Sequence, residues 1–168
     1  GMSEDVISSI DVSTAFLQAD EYDDSRPVRY VSYKPHKNAP HQYYRLRGAL
    51  YGQRSAGLEW HTTLSKWLVT QGFESGMNDP CIFVNKSTGL RLVVVVDDVL
   101  CRGSKTETRR FYKALADKFD VKPPQYLTTE EPLVYVGLDI KLTRKGGASY
   151  VSVDQSADLE RYLDSIDV

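Results

Sequence analysis

The run Val93-Val94-Val95-Val96-Asp97-Asp98-Val99-Leu100 constrains the fold more than any other stretch of the chain. Four consecutive β-branched residues, apolar at odd and even positions alike, predict a strand buried on both faces. Two adjacent carboxylates then interrupt it, in an apolar neighbourhood where desolvation and mutual repulsion make two anions unfavourable. Two readings are open at this point. The pair can be the exposed tip of a hairpin, although neither Gly nor Asn stands there to take the positive φ that tight hairpin turns favour. Alternatively, the pair sits at a strand tip where divalent cations offset the repulsion. Magnesium, a hard ion, prefers one or two carboxylates together with phosphate oxygens.

A third carboxylate bears on the choice. Asp11 ends a short apolar strand expected over residues 6–11. In an antiparallel sheet that strand can lie beside the hairpin and bring Asp11 near Asp97. The plainer role for Asp11 is to cap the turn that follows it, and the two roles can coexist.

The remaining periodicities fill in the frame. Residues 28–33 and 42–46 read as extended segments separated by Pro-rich loops. Trp60, Leu64, Trp67 and Leu68 recur at helical spacing over 56–71, with Gly72 as the stop, and core packing is the better reading for Trp60. Strands are expected over 82–84, 91–96 and 99–101. Ser104 with Glu107 forms a capping box for a helix whose buried stripe is Phe111, Leu115 and Phe119. Strands over 133–142 and 149–153 and a helix over 158–166 follow. This order suits an α+β fold, an antiparallel sheet backed by two helices of the split βαβ kind, with an irregular insertion after the first strand.

Composition enters through its distribution. The chain has 168 residues, 41% hydrophobic and 26% charged, which suits one globular domain and excludes a disordered one. Taken whole, its net charge of −2 argues against nucleic acid, yet it is a cancellation. Residues 1–24 hold seven acids and no Lys or Arg, residues 25–66 hold eight bases and one acid, and the remainder is nearly balanced. The basic segment also carries all three histidines and Tyr30, Tyr33, Tyr43, Tyr44 and Tyr51. Cations interleaved with aromatics suit phosphates and stacked bases, while the alternative is a solvated loop whose charges serve solubility. No apolar run approaches the ~18 residues of a membrane span, so no membrane partner is expected. Gly1-Met2 reads as the remnant of a cleaved tag. Cys81 and Cys101 fit neither a disulfide framework nor a zinc site.

Four blocks carry a resemblance: Asp11-Val-Ser-Thr-Ala-Phe-Leu-Gln18, Leu46-Arg-Gly-Ala-Leu-Tyr-Gly52, Val94-Val-Val-Asp-Asp98 and Tyr135-Val-Gly-Leu-Asp-Ile140. Their order and spacing resemble the reverse transcriptases of copia-type LTR retrotransposons, over nearly the whole chain. The resemblance implies a polymerase palm that performs RNA-directed DNA synthesis. Asp11, Asp97 and Asp98 would be the catalytic carboxylates, binding two Mg2+ ions with Mn2+ as a substitute, Asp11 and Asp97 principally. It further implies a template-primer of RNA or DNA, deoxynucleoside triphosphates, and the rest of a retrotransposon polyprotein as partners. The setting would be intracellular, in a cytoplasmic virus-like particle with a nuclear stage.

Other roles transfer by position. Phe16 would lie under the incoming sugar and exclude a 2′-hydroxyl, its plainer role being a core aromatic. Tyr51, Gly52 and Arg54 would contact the nucleotide and template, Val136 and Gly137 the primer, and Lys122 would be a general acid for pyrophosphate. The family's Tyr-Val-Asp-Asp reads here Val95-Val96-Asp97-Asp98, and its Leu-Tyr-Gly-Leu-Lys-Gln-Ala-Pro reads Leu50-Tyr51-Gly52-Gln53-Arg54-Ser55-Ala56-Gly57. These departures keep a second class of function open, a catalytically decayed or domesticated nucleic-acid-binding relic. A metal-dependent nuclease shares the carboxylates but explains neither Phe16 nor the Leu50 block. Against the family, the expected organisation is one palm with partial fingers over about 20–55, without upstream fingers, thumb or RNase H. The 168-residue chain alone is expected to fold, bind magnesium weakly and polymerise little.

Overall fold

Strand β1 (Asp5–Asp11) pairs along its whole length with β7 (Asp98–Ser104), and that antiparallel pair is the axis of the computed structural model. Residues 5–166 are described, with the backbone alone at 157–158, so the reading of Gly1-Met2 lies outside them. Around this axis runs a six-stranded antiparallel sheet in the order β4 (Glu74–Ser75), β5 (Ile82–Val84), β6 (Arg91–Val95), β7, β1, β8 (Gln125–Tyr126). Helix α1 (Ala56–Thr70) lies between β1 and β6 in the chain, and α2 (Lys105–Lys118) joins β7 to β8. β7 therefore sits between β1 and β6, and β1 between β7 and β8, the interleaving of a split βαβ fold.

The two faces of the sheet bury different things. Ile10, Leu92, Val94, Val99 and Cys101 pack with Trp60, Leu64 and Leu68 of α1 and with Phe111 and Leu115 of α2. On the other face, Ile7 and Leu100 pack with Leu133, Tyr135, Ile140 and Leu142. Those four belong to a second sheet of β9 (Leu133–Tyr135), β10 (Leu138–Lys145) and β11 (Ala148–Asp154), followed by α3 (Ser156–Ser165). The insertion forms one separate hairpin, β2 (Tyr30–Tyr33) with β3 (Gln42–Arg45).

Several expectations are corrected. The valine run is not buried on both faces: Val94 is 2% exposed but Val93 and Val95 are 37% and 36%. Helices cover only one face of β6, and its outer face stays open. The expected strand over 133–142 is broken at residues 136–137, where Val136 and Gly137 take φ of 52° and 76° and turn the chain back on itself. The two-residue strands β4 and β8 carry too little periodicity to be read. The Ser104 cap is present, its Oγ accepting from the Glu107 amide at 3.3 Å. A Cβ at Gly103 would meet Leu90 Cδ2 at 2.4 Å, so any side chain there would have to displace the buried Leu90.

Candidate active site

The carboxylates meet because of register. Asp11, the last residue of β1, is the direct cross-strand partner of Asp98, the first residue of β7. Alternation puts both on the face opposite α1 and α2. β6 and β7 are joined by a two-residue turn, Val96 and Asp97, so a hairpin forms despite the missing Gly or Asn, but Asp97 is only partly exposed on it and Asp98 already belongs to β7. Val96 takes φ of 54° to make it. The Val12 amide donates to Asp97 O at 2.9 Å and pegs the turn to the end of β1. Asp11 caps nothing: the 3-10 turn Ala15–Gln18 begins after Thr14, without a side-chain cap.

Lys122 enters from the segment beyond α2. Its amide donates to the Asp11 carbonyl at 2.9 Å, and its Nζ stands 3.0 Å from Asp11 Oδ1. Gln18 fastens this segment, accepting from the Asp120 amide at 2.7 Å and donating to Asp120 O at 3.0 Å. A cavity of about 200 Å3 is lined by Asp11, Asp98, Lys122, Gln125 and Val134. Burial first, then the charges of Asp97 and Asp11, push the Asp98 carboxyl above the ordinary aspartate range, with Lys122 acting in the opposite direction. The Asp11 hydrogen bond and charge raise the Lys122 ammonium in turn.

The donor set fits a hard divalent cation in its chemistry: carboxylate oxygens whose repulsion a cation offsets. Among the described residues, however, no three His, Cys, Asp or Glu side chains form a ready cage. The Asp11 carboxylate is engaged by Lys122 instead.

The other predicted residues form two further groups. Phe16 packs on Tyr51, ring centroids 4.8 Å apart, and Gly52 beside Tyr51 has φ of 89°, which demands glycine. Arg54 is exposed just ahead of α1. Val136 and Gly137 stand apart, at the turn between β9 and β10, and the nearby Val134 is what lines the cavity.

Three contributors are not legible as site residues. Gln53 Oε1 accepts from Tyr22 OH at 3.0 Å and from the Leu50 amide at 2.9 Å, which gives one altered motif position a local purpose. Tyr135 OH donates to Val93 O at 3.0 Å and braces β6. Trp60, fully buried as expected, also donates from Nε1 to Val96 O at 2.6 Å. Trp60's place in a helical stripe pointed to packing, and the aromatic that the resemblance expects there carried no site role.

Comparisons with known proteins agree with one another. A family model described as reverse transcriptase (RNA-dependent DNA polymerase) matches residues 2–156. The chain is 32% identical over 146 residues, 83% of its length, to a retrovirus-related Pol polyprotein from transposon RE2 of Arabidopsis thaliana. It is 29% identical over 142 residues, 82% of its length, to the Gag-Pol polyprotein of transposon Ty1-DR4 of Saccharomyces cerevisiae. The chain spans 9% and 8% of the length of these two relatives.

Proposed function

The chain belongs to the reverse transcriptase (RNA-dependent DNA polymerase) family, and from that premise we propose that it is the part of a retrotransposon Pol polyprotein bearing the carboxylates of nucleotidyl transfer. The observation that carries this reading is the pairing of Asp11 with Asp98 across β1 and β7, with Asp97 on the adjoining turn and a cation beside them. The split βαβ sheet supports a palm, and the β2–β3 hairpin supports partial fingers over about 20–55.

Asp11 and Asp97 would principally hold magnesium, or manganese in its place, with Asp98 third. When bound, a pair of such ions supplies activation of the primer 3′-hydroxyl and stabilisation of the leaving pyrophosphate. Lys122 Nζ keeps its proton because Asp11 favours the charged form, and as the general acid it would give that proton to pyrophosphate. Phe16, braced by Tyr51, walls the sugar position against a 2′-hydroxyl, which selects deoxynucleotides. Gly52 admits close backbone approach, Arg54 supplies a phosphate contact, and the turn at Val136 and Gly137 lies against the primer. Exposed Tyr30, Tyr33, Tyr43 and Tyr44 on a hairpin flanked by cations suit an RNA or DNA template.

The test is primer extension by the longer Pol protein. Asp97→Asn should reduce it by at least about 100- to 1000-fold, and undiminished extension overturns the reading. Val95, where the family has a tyrosine, favours the second reading of a relic. Salt-sensitive binding without extension by the unmutated longer protein would establish that reading instead. The 168-residue chain alone should bind metal weakly and not synthesise processively.

A further inference from the structure

The turn that carries Asp97 is held in a conformation its own residues disfavour. Val96 is β-branched and sits at φ of 54°, a region left to glycine in most hairpins of this kind. Val96 is 46% exposed, so burial of the valine does not hold the turn in place. What grips the turn is its backbone. Val96 O accepts the Trp60 indole N–H at 2.6 Å, and the next carbonyl, Asp97 O, accepts the Val12 amide at 2.9 Å.

Trp60 is itself enclosed by packing. It is 0% exposed on α1 and meets Phe119 edge to face, ring centroids 5.2 Å apart. Phe119 is the residue at which α2 ends, and it also packs against Trp67. Filling that space needs an aromatic ring of the right size, not a donor. The one polar atom of the indole is spent on the carbonyl of the strained residue beside Asp97.

We propose that Trp60 is a positioning residue: its indole N–H fixes the strained turn and so places Asp97 relative to Asp11 and Asp98. The placement of the turn stands on this geometry, and its meaning for catalysis rests on the polymerase reading above. Trp60 touches none of the reacting groups and acts through the backbone of Val96. A phenylalanine would keep the ring and lose the grip. A glycine at residue 96 would make the turn without strain and lessen the need for it.

The experiment uses the 168-residue chain without metal, following amide hydrogen exchange. Trp60→Phe should speed exchange of the Val12 amide roughly five- to tenfold, the effect of one lost hydrogen bond, while the Leu127 amide, bonded to Ile7 O at the far part of β1, is unmoved. Adding Val96→Gly should return Val12 toward its original rate. Unchanged exchange at Val12, equal acceleration at Val12 and Leu127, or no rescue by Val96→Gly would each overturn the proposal. If Trp60→Phe does not fold, benzothienylalanine, the isostere of tryptophan without the N–H, is placed at residue 60 and the same outcomes apply.

A second readout, Mn2+ binding followed by the paramagnetic signal of the free ion, separates this proposal from the polymerase reading. Trp60→Phe should weaken Mn2+ binding about 10- to 100-fold, with recovery in the double variant. An unmutated chain that binds no Mn2+ yet keeps the exchange pattern would sink the metal reading and leave the positioning role standing. Mn2+ affinity unaffected by Trp60→Phe would overturn the positioning role for Asp97.

Discussion

Lys122 Nζ lies 3.0 Å from Asp11 Oδ1 while the Lys122 amide bonds the Asp11 carbonyl, so one residue grips Asp11 by side chain and backbone together. The ammonium occupies a carboxylate that a divalent cation would need, and it lessens the negative charge of the whole cluster. Lys122→Gln should therefore tighten Mn2+ binding to the 168-residue chain, by roughly tenfold for removal of one nearby positive charge. Titration of Mn2+ against both chains checks this, and weaker binding by the variant would contradict it. In the longer Pol protein the same change should slow extension, since the proton at Nζ is lost.

Asp98 gives a pH signature. Its folded-state carboxyl lies above the ordinary aspartate value, from burial first and then from Asp97 and Asp11, so ionising it opposes folding. Below the ordinary value of 3.8 the carboxyl is protonated folded or unfolded, and no penalty applies. The penalty grows as pH rises from there through the raised folded value and is complete above it. Without metal, Asp98→Asn should be more stable than the unmutated chain at pH 7, and the advantage should vanish at about pH 3. Denaturant unfolding at the two pH values decides it, and a less stable variant at pH 7 refutes it.

The turn between β9 and β10 should be improvable. Val136 and Gly137 both take positive φ, the pattern for which Asn-Gly is favoured, and Val136 pays the β-branched penalty with a half-exposed side chain. Val136→Asn should stabilise the chain by about 1 kcal/mol, or roughly 2–4 °C in Tm. Thermal unfolding checks the sign as well as the size.

The β2–β3 hairpin should read single strands. Tyr30 is opposite Arg45 and Ser32 opposite Tyr43, so Tyr30, Tyr43 and Arg45 share one face of an exposed ribbon. Residues 26–47 contain six cations and no acid. Tyr43→Ala should weaken binding of a single-stranded pyrimidine oligonucleotide by about 1–3 kcal/mol and affect duplex less. Arg45→Ala should lower the salt dependence by about one unit of slope. Binding isotherms at several salt concentrations separate the two effects.

Much of this was legible in the chain. The strand over 82–84, the helix over 56–71 and the helix opened by the Ser104 cap with its Phe111, Leu115 and Phe119 stripe follow from local periodicity and capping, which depend on neighbours a few residues away. Four ordered blocks were enough to indicate the family. The valine run misled because apolar residues at every position state only that burial is permitted. Whether a second layer covers the outer face of β6 depends on where β9 to β11 dock, and they leave Val93 and Val95 open.

What the sequence determined by itself was the inventory of the candidate site: three aspartates, a lysine and the aromatics Phe16 and Tyr51, with Asp11 at the end of a strand and Asp97 and Asp98 beside another. Only the tertiary structure decided how they are joined. Asp11 faces Asp98 because β1 lies between β7 and β8, and Lys122 reaches Asp11 because α2 returns the chain across the end of β1. Trp60 turned from a core residue into the anchor of a strained turn because α1 packs under residues separated from it by 36 positions. Such contacts are set by strand order and packing across the sheet, which local periodicity does not encode.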